Sequence, residues 1–432
     1  MHGNAFSVIG MLSMHMKKDL RISRKRLVST FLEMININSP SFHERPMGDY
    51  LEAKLRHLGF KVIRQKYDKS FNIIASKKGS RRDGRPLILS AHMDTIEPTA
   101  GIRYTIRNDV IRSVGSTVLG ADDKSAIAQI IEAVTIIGEK RIPHGDIEIV
   151  LTSAEEKGLF GAKNLDFSGI RGRHALVLDS GGPVGRIVVA APSHITYEMK
   201  VTGRPAHAGI EPEKGVSAIR VAAEIIAAVR DGRIDTETTA NIGIINGGTA
   251  TNVVPKEVVL HGEVRSHNAS VLKRVKSDIF RQAKDIAGKR NAHVRIAEHK
   301  EYQSFRIGDG EPFLGFMKDI FLTCGIRPVL VITGGGSDAN IFNKHGILSL
   351  NISTGMQKVH SHEENIAVED LVKGALTVYT MVKEFPAFAS KKGERKEDDR
   401  SSGGLCAFPF QCCLNSGSCD QRRGKKMCSR SA

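Results

Sequence analysis

Apolar and polar positions along the chain switch between two periods. Over 24–58 the apolar residues recur at helical spacing, with a break at Asn38-Ser39-Pro40-Ser41 and an end at Gly59. Residues 60–67 and 72–76 carry strand patterns. From Pro86 to His92 the run is continuously apolar, as in a strand covered on both faces. Residues 125–138 form a strongly apolar helix, and 146–152 and 175–178 are again buried strands. Strands alternating with helices imply a mainly parallel sheet.

The pattern changes after Pro192. Strand 195–202, amphipathic helix 216–230, strands 240–246 and 257–266, helix 271–289 and strand 293–302 succeed one another. That β-α-β-β-α-β order is the ferredoxin-like unit, with four strands and two helices. It predicts an inserted α+β domain over 193–305. The first domain then resumes with helix 310–324, strand 328–332, short helix 338–344, strand 346–351 and a closing helix 368–385. The expected fold class is α/β, a discontinuous domain on a mixed, mainly parallel sheet, carrying an inserted lid. Residues 16–192 and 306–388 make the first domain; 1–15 are expected to be a disordered extension and 389–432 a disordered basic tail.

The 432 residues leave room for two or three domains with a large core. No apolar run approaches the roughly 18–20 residues that cross a bilayer, so no membrane partner is expected. Residues 1–16 lack a basic n-region and a small-residue cleavage site, so no signal peptide is expected either. The net charge of +16 points at first to an anionic partner. Its distribution weakens that inference, because residues 17–26 hold six basic side chains and one acid, and 391–432 hold ten and five. With no nucleic-acid-binding signature in the chain, no nucleic-acid partner is expected. Five of the six cysteines, Cys406, Cys412, Cys413, Cys419 and Cys428, crowd the tail and leave only Cys324 in the body. Such a body suits a reducing, cytoplasmic compartment.

Five short motifs carry candidate chemistry: His92-Met93-Asp94, Asp122-Asp123, Glu155-Glu156, Asp179 and His360. Each sits where an apolar run meets a turn, the sheet edge at which α/β enzymes place their sites. Asp94, two residues beyond His92 in extended chain, points to the same side and can orient it. One residue of the Asp122-Asp123 pair is expected to cap the apolar helix, since Asp favours that place; the other carboxylate is then free to bridge two metals. Adjacent glutamates after a buried strand supply a ligand and a general base. The segment His360-Ser361-His362-Glu363-Glu364 offers two histidines, with Glu364-Asn365 as candidate caps of the last helix. Imidazole and carboxylate donors in this number are those of a two-zinc hydrolase.

Together these stretches resemble the M20 metallopeptidases. The resemblance rests on Ser90-Ala91-His92-Met93-Asp94-Thr95, Leu119-Gly120-Ala121-Asp122-Asp123-Lys124, Ser153-Ala154-Glu155-Glu156, Gly203-Arg204-Pro205-Ala206-His207-Ala208-Gly209 and Gly334-Gly335-Gly336-Ser337-Asp338-Ala339. It covers about 18–387, and the Gly-Ala-Asp-Asp-Lys form is that of the peptidase T-like branch. The resemblance implies a zinc-peptidase-type catalytic domain with a lid that also dimerises, and two Zn2+ per subunit, with Co2+ or Mn2+ as substitutes. It implies that His92 and Asp179 hold one ion, Glu156 and His360 the other, and Asp122 both. It implies His360 rather than His362 as ligand, and a cis peptide between Asp122 and Asp123. Asp94 would orient His92, and Glu155 would be the general base on a metal-bound water. His207 would reach a neighbouring subunit's site and polarise the substrate carbonyl. Asn252, Arg265 and Gly335 fall where relatives contact substrate.

The function implied is hydrolysis of amide bonds in short peptides by a homodimeric, tripeptidase-like aminopeptidase. Deacylase, dipeptidase or carboxypeptidase activity on N-acyl amino acids or small peptides is the alternative within the family. A non-catalytic binding homologue is the alternative outside enzymology.

Overall fold

The computed structural model describes residues 22–81 and 84–401. The expected N-terminal extension and the cysteines of the tail lie outside the described residues. The chain divides into two units, Met1–Ser390 and Lys391–Ala432, and all three sheets belong to the first.

Four strands, Ile147–Thr152, Leu87–His92, His174–Ser180 and Leu348–Ser353, lie side by side in that order and pair in parallel. Every residue of Leu87–His92 and of Ile147–Thr152 is buried, which explains their unbroken apolar runs. On one flank Phe71–Lys77 and then Lys61–Lys66 add antiparallel. On the other, Arg186–Ala191 adds antiparallel and carries Phe305–Arg306 and Val329–Ile332. Parallel pairing is thus strongest at the centre of a nine-stranded mixed sheet. At the first flank, Lys61–Lys66 and Phe71–Lys77 are joined by a short turn, which brings neighbours back antiparallel.

The parallel strands end at one edge of the sheet, and that edge gathers the candidate residues. His92 ends its own strand, Glu155 lies just past Thr152, and Asp179 is the penultimate residue of His174–Ser180. The sheet is held there by the helix Ala121–Glu139, in which Ile127, Ile130, Ile131, Val134 and Ile137 are all buried. Helix Arg24–Ile35 packs on it through Leu27, Phe31 and Met34. Each such side chain withdrawn from water contributes about 1.5–3 kcal/mol, so the edge is fixed by a rigid body. The first helical stretch breaks more widely than expected, into Arg24–Ile35 and Arg45–His57, and the intervening loop reaches the site.

The inserted region is a sheet in the order Gly232–Asp235, Thr238–Gly247, Glu257–Ser266, Ser193–Thr202, His293–Tyr302, antiparallel throughout. Helices Ala218–Ala228 and Ala269–Lys289 pack on it around a separate apolar core that includes Met199, Ile225, Leu260 and Ala283. This is the expected ferredoxin-like unit with one additional short edge strand. A small four-stranded sheet escaped the sequence pattern: Met356–Gln357, Asn365–Ala367, Val110–Ser113 and Tyr104–Arg107. Its strands are two to four residues long, too short to show a period. The closing helix begins at Val368 and continues to Ser401.

Candidate active site

Asp122 sits between two histidines. Its Oδ1 lies 3.0 Å from His92 Nε2, and His92 Nε2 is 3.8 Å from Asp179 Oδ1. Its Oδ2 lies 3.4 Å from His360 Nε2, and His360 Nε2 is 3.0 Å from Glu156 Oε1. The five residues fall into two donor sets that share one carboxylate. Ligands about 2.0–2.2 Å from a tetrahedral zinc ion lie roughly 3.3–3.6 Å apart, which these separations bracket. His92, Asp122 and Glu156 offer donor atoms within 4.8 Å of one another, and so do His92, Asp123 and Asp179. Asp123 Oδ1 and Asp338 Oδ1 are buried without a hydrogen-bond partner. Buried carboxylate oxygens with no protein donor are costly unless a cation is near. The chemistry and spacing of these donors fit divalent metal. Both histidines of the 360 segment are exposed, and His360 is the one whose ring reaches these carboxylates.

Asp122 and Asp123 are joined by a cis peptide, and both depart from helical φ/ψ at the start of Ala121–Glu139. The expectation that one of them caps this helix fails, because the Asp122 carboxylate turns to His92 and His360 and Asp123 Oδ1 has no hydrogen-bond partner. Asp123 Oδ2 instead accepts the main-chain N–H of His92 at 3.2 Å. The N–H groups at this helix start go to a distant residue, Glu364, whose carboxylate accepts from Leu119, Gly120 and Asp122. Glu364 therefore does not cap the last helix, as its place in the sequence had implied.

The turn bearing Glu155 and Glu156 is held just as closely. Four consecutive N–H groups each find a side-chain oxygen: Ser153 on Asn72 Oδ1 (3.2 Å), Ala154 on Glu44 Oε1 (2.9 Å), Glu155 on Asp94 Oδ1 (3.0 Å) and Glu156 on Asp94 Oδ2 (3.2 Å). A Cβ at Gly161 would lie 2.2 Å from Ser153 O, so only glycine lets the following helix close on this turn. Asp94 is thus chiefly a clamp on the turn bearing Glu155 and Glu156. The Nδ1 of His92 is 2.9 Å from the main-chain carbonyl of Asp94 and 3.6 Å from its carboxylate, so the carbonyl sets the ring. Ser41, from the loop between the first two helices, donates to Asp94 Oδ2 at 2.7 Å.

The crowding of acids has electrostatic consequences in the metal-free protein. Burial, then the neighbouring acids Asp179, Glu156 and Asp338, push the Glu155 carboxyl well above its ordinary value, against the pull of His92. Burial likewise lifts Asp179, with His92 opposing and Asp122 and Asp123 adding. Burial pushes Asp338 up to about 6, against the hydrogen bond from Thr152. For Asp122 burial is outweighed by hydrogen bonds to His360 and His92, which hold it far below the usual range. Those same bonds from Asp122 and Glu156 push His360 up to about 10. One carboxylate kept ionised among others kept protonated is the pattern expected where cations compete with protons.

The other expected residues lie apart from this cluster. His207 is exposed on the inserted unit, where the Ala208 N–H donates to the Asn252 carbonyl at 2.9 Å and His207 pairs with Val253. His207 and Asn252 are thus neighbours, and among the described residues no hydrogen bond or ion pair joins either to the five donors. Arg265 forms two 3.0 Å bonds to Glu263, and its Nη1 lies 3.2 Å from the Tyr302 hydroxyl and 3.5 Å from the Gly334 carbonyl. This brings Arg265 to the Gly334–Gly335–Gly336 loop. A Cβ on Gly336 would stand 2.3 Å from the Tyr302 ring, so the loop must stay bare there. Local sequence patterns gave no sign of Glu44, Asp338 or the clamping action of Glu364. The one signal for Asp338 was its place in the Gly-Gly-Gly-Ser-Asp motif.

The chain matches the family model described as a peptidase dimerisation domain over residues 189–291, and that of peptidase family M28 over 72–186. It is 36% identical over 375 residues to the uncharacterized protein YqjE of Bacillus subtilis, spanning 84% of this chain and 99% of that one. Among solved structures it is similar to a tripeptidase from Staphylococcus aureus, with 33% identity, a TM-score of 0.81, and coverage of 85% of this chain and 99% of the other. It is also similar to the aminopeptidase PepT from Bacillus cereus, with 37% identity, a TM-score of 0.76, and coverage of 84% and 99%. Sharing more than a third of its aligned residues with that enzyme along nearly all of the enzyme's length, the protein belongs to the M20 metallopeptidases, on the peptidase T-like branch.

Proposed function

We propose that this metallopeptidase is an aminopeptidase that releases the first residue of short peptides, tripeptides foremost, using two zinc ions, for which Co2+ or Mn2+ can substitute. The observation that carries this is the division of Asp122, one oxygen toward His92 and Asp179, the other toward Glu156 and His360. His92, Asp179 and Asp122 would hold one ion, and Glu156, His360 and Asp122 the other. Bound there, the ions would supply Lewis acidity at the scissile carbonyl and acidify a water toward neutral pH. Glu155 would take that proton on its carboxylate and deliver it to the departing nitrogen. Arg265 and the Gly334–Gly336 loop would line the approach for the rest of the peptide.

Residues 16–192 and 306–388 would form the catalytic domain, and 193–305 the lid through which two copies pair. The match to a peptidase dimerisation domain supports a homodimer. His207, exposed and, among the described residues, without a hydrogen bond or ion pair to its own donors, would then polarise the substrate carbonyl in the partner's site. The low cysteine content of the body supports work in the cytoplasm. Among the described residues no helix is long and apolar enough to cross a membrane.

The test is a panel of tripeptides, free or blocked at the amino end, given to zinc-loaded and chelated protein, with products identified by mass spectrometry. Metal-dependent release of only the first residue from free-amine peptides is expected. Cleavage of blocked substrates would move the function to deacylase or carboxypeptidase chemistry, and no cleavage with metals bound would favour a binding protein.

A further inference from the structure

The five donors reach the site from five chain segments, and one buried side chain joins two of them. Glu364 is 1% exposed. Its Oε2 accepts the N–H groups of Leu119 at 2.7 Å and Gly120 at 2.8 Å, and its Oε1 accepts that of Asp122 at 3.0 Å. A carboxylate taking three main-chain N–H groups is fixed in position and fixes what it holds. It holds the loop whose side chain at Asp122 faces both histidines. Glu364 also ends the turn that begins beyond His360, its own N–H donating to the Ser361 carbonyl at 3.1 Å. Immediately after it, Asn365–Ala367 pairs with Val110–Ser113, so its backbone is anchored in a sheet. One residue thereby sets where the Asp122 backbone lies and where the His360 turn ends, although 242 residues separate Glu364 from Asp122.

We infer that Glu364 is a positioning residue that sets the spacing between Asp122 and His360 and so governs how tightly the two ions are held. This rests on the two-ion site proposed above. Other side chains do not substitute for it. Lys124 is buried but donates to the Ile37 carbonyl, and Ser125 and Gln129 face Thr354. The alternative is that Glu364 only satisfies N–H groups that the helix start leaves unpaired. The two roles separate experimentally. A stability role lowers the melting temperature of the metal-free protein and leaves ion affinity untouched. A positioning role weakens affinity even where the fold survives, as partners that orient ligands do, by about ten- to a hundredfold.

The experiment measures Zn2+ affinity and stoichiometry of the full chain by competition with a chromogenic chelator, beside melting of the metal-free protein. It compares wild type, Glu364→Gln, which keeps the shape and one acceptor oxygen, and Glu364→Asp, which keeps the charge but shortens the reach. The absorption spectrum of the Co2+ form reports the ligand geometry independently. The expected result is at least tenfold weaker Zn2+ binding in each variant that folds, with an altered Co2+ spectrum and metal-free melting close to wild type. Affinity within twofold of wild type in either folded variant would overturn the inference, whatever happens to melting. Failure of wild type to bind two ions would instead remove the site reading, and this inference with it.

Discussion

Asp94 Oδ1 accepts the main-chain N–H of Glu155 at 3.0 Å, and both residues are presented from the same edge of the sheet. The second Asp94 oxygen takes Glu156 N–H and the Ser41 hydroxyl, so the carboxylate is saturated by the turn it holds. Burial raises its proton affinity, but the neighbouring His92 ring, the Ser41 hydroxyl and the Glu155 N–H outweigh burial and keep it ionised. Replacing Asp94 by Ala would strand two adjacent N–H groups inside the protein and release both glutamates. Activity should fall by about ten- to a hundredfold or more, and Zn2+ affinity should fall with it, because Glu156 moves as well. Asp94→Asn should be milder, since its carbonyl oxygen can keep one of the two bonds. Parallel measurement of kcat and bound zinc checks this; a variant with full zinc and full activity would contradict it.

Glu155→Gln separates binding from proton transfer. The amide occupies the same space and leaves the two donor sets on Asp122 intact, so two ions should remain bound. Turnover should fall by about a hundred- to ten-thousandfold, the range for loss of a general base. Metal analysis of the purified variant together with kcat on a free-amine tripeptide decides it.

Much of this site was legible in the chain because its donors sit at places that local patterns mark. His92 and Asp179 close buried strands, and Glu155 comes just after one, and a buried strand shows itself as an unbroken apolar run. The same logic gave the inserted unit, whose helices and strands are long enough to show their periods. The residues that hold the donors in place were not legible. Glu44 acts on Ala154, Asp338 on Thr152, and Glu364 on Asp122, across separations of 110, 186 and 242 residues. Each is an ordinary acid beside a helix start or turn in its own neighbourhood, where capping is the natural expectation. Only the folded chain reveals that each carboxylate turns inward to a distant backbone or hydroxyl. The expected cap from the Asp122-Asp123 pair fails for a similar reason, since both carboxylates turn to residues distant in sequence, Asp122 to His92 and His360 and Asp123 to the His92 N–H.

Stability should depend on pH differently with and without metal. In the metal-free protein Glu155, Glu156 and Asp179 bind protons more tightly than ordinary carboxylates, and Asp338 and Glu364 titrate near about 6 and about 7. Unfolded, all of them lose their protons near the ordinary values of 3.8 and 4.5. Between those limits the folded state binds more protons than the unfolded one, so stability falls as pH rises. His360, raised to about 10 by Asp122 and Glu156, acts in the same sense above its ordinary 6.5. Ions bound by Asp179, Glu156 and His360 would displace the protons of these ligands and reduce the penalty. The increase in Tm on adding zinc should therefore grow from about pH 5 to about pH 7. Calorimetry at several pH values, with zinc and with chelator, checks it; an increment that shrinks over this window would contradict the electrostatics described.

Asp338 offers a sharper test of the base. It lies close enough for its charge to raise Glu155, while its Oδ2 accepts the Thr152 hydroxyl at 2.5 Å. Asp338→Asn keeps an oxygen for Thr152 and removes the charge. Glu155 then releases its proton more readily, and the acid limb of the pH–rate profile should move down by up to about one pH unit. An unmoved limb would mean that Asp338 does not act on the base.

The exposed position of His207 calls for a test across the subunit boundary. If His207 serves the partner's site, a subunit carrying Glu155→Gln still offers an intact His207, and one carrying His207→Ala still offers an intact Glu155. Each variant alone should be nearly inactive. A hybrid dimer contains one site made of the intact Glu155 of one subunit and the intact His207 of the other, and one site lacking both. With random pairing half of the dimers are hybrids, each with one working site in two, so mixing equal amounts after dissociation should recover about a quarter of wild-type activity. Recovery that rises with the time allowed for exchange, and not immediately on mixing, would establish that the sites are shared. No recovery, in a mixture shown by differential tagging to contain hybrids, would confine His207 to its own subunit, and the lid would then have to close over the donors of the same chain.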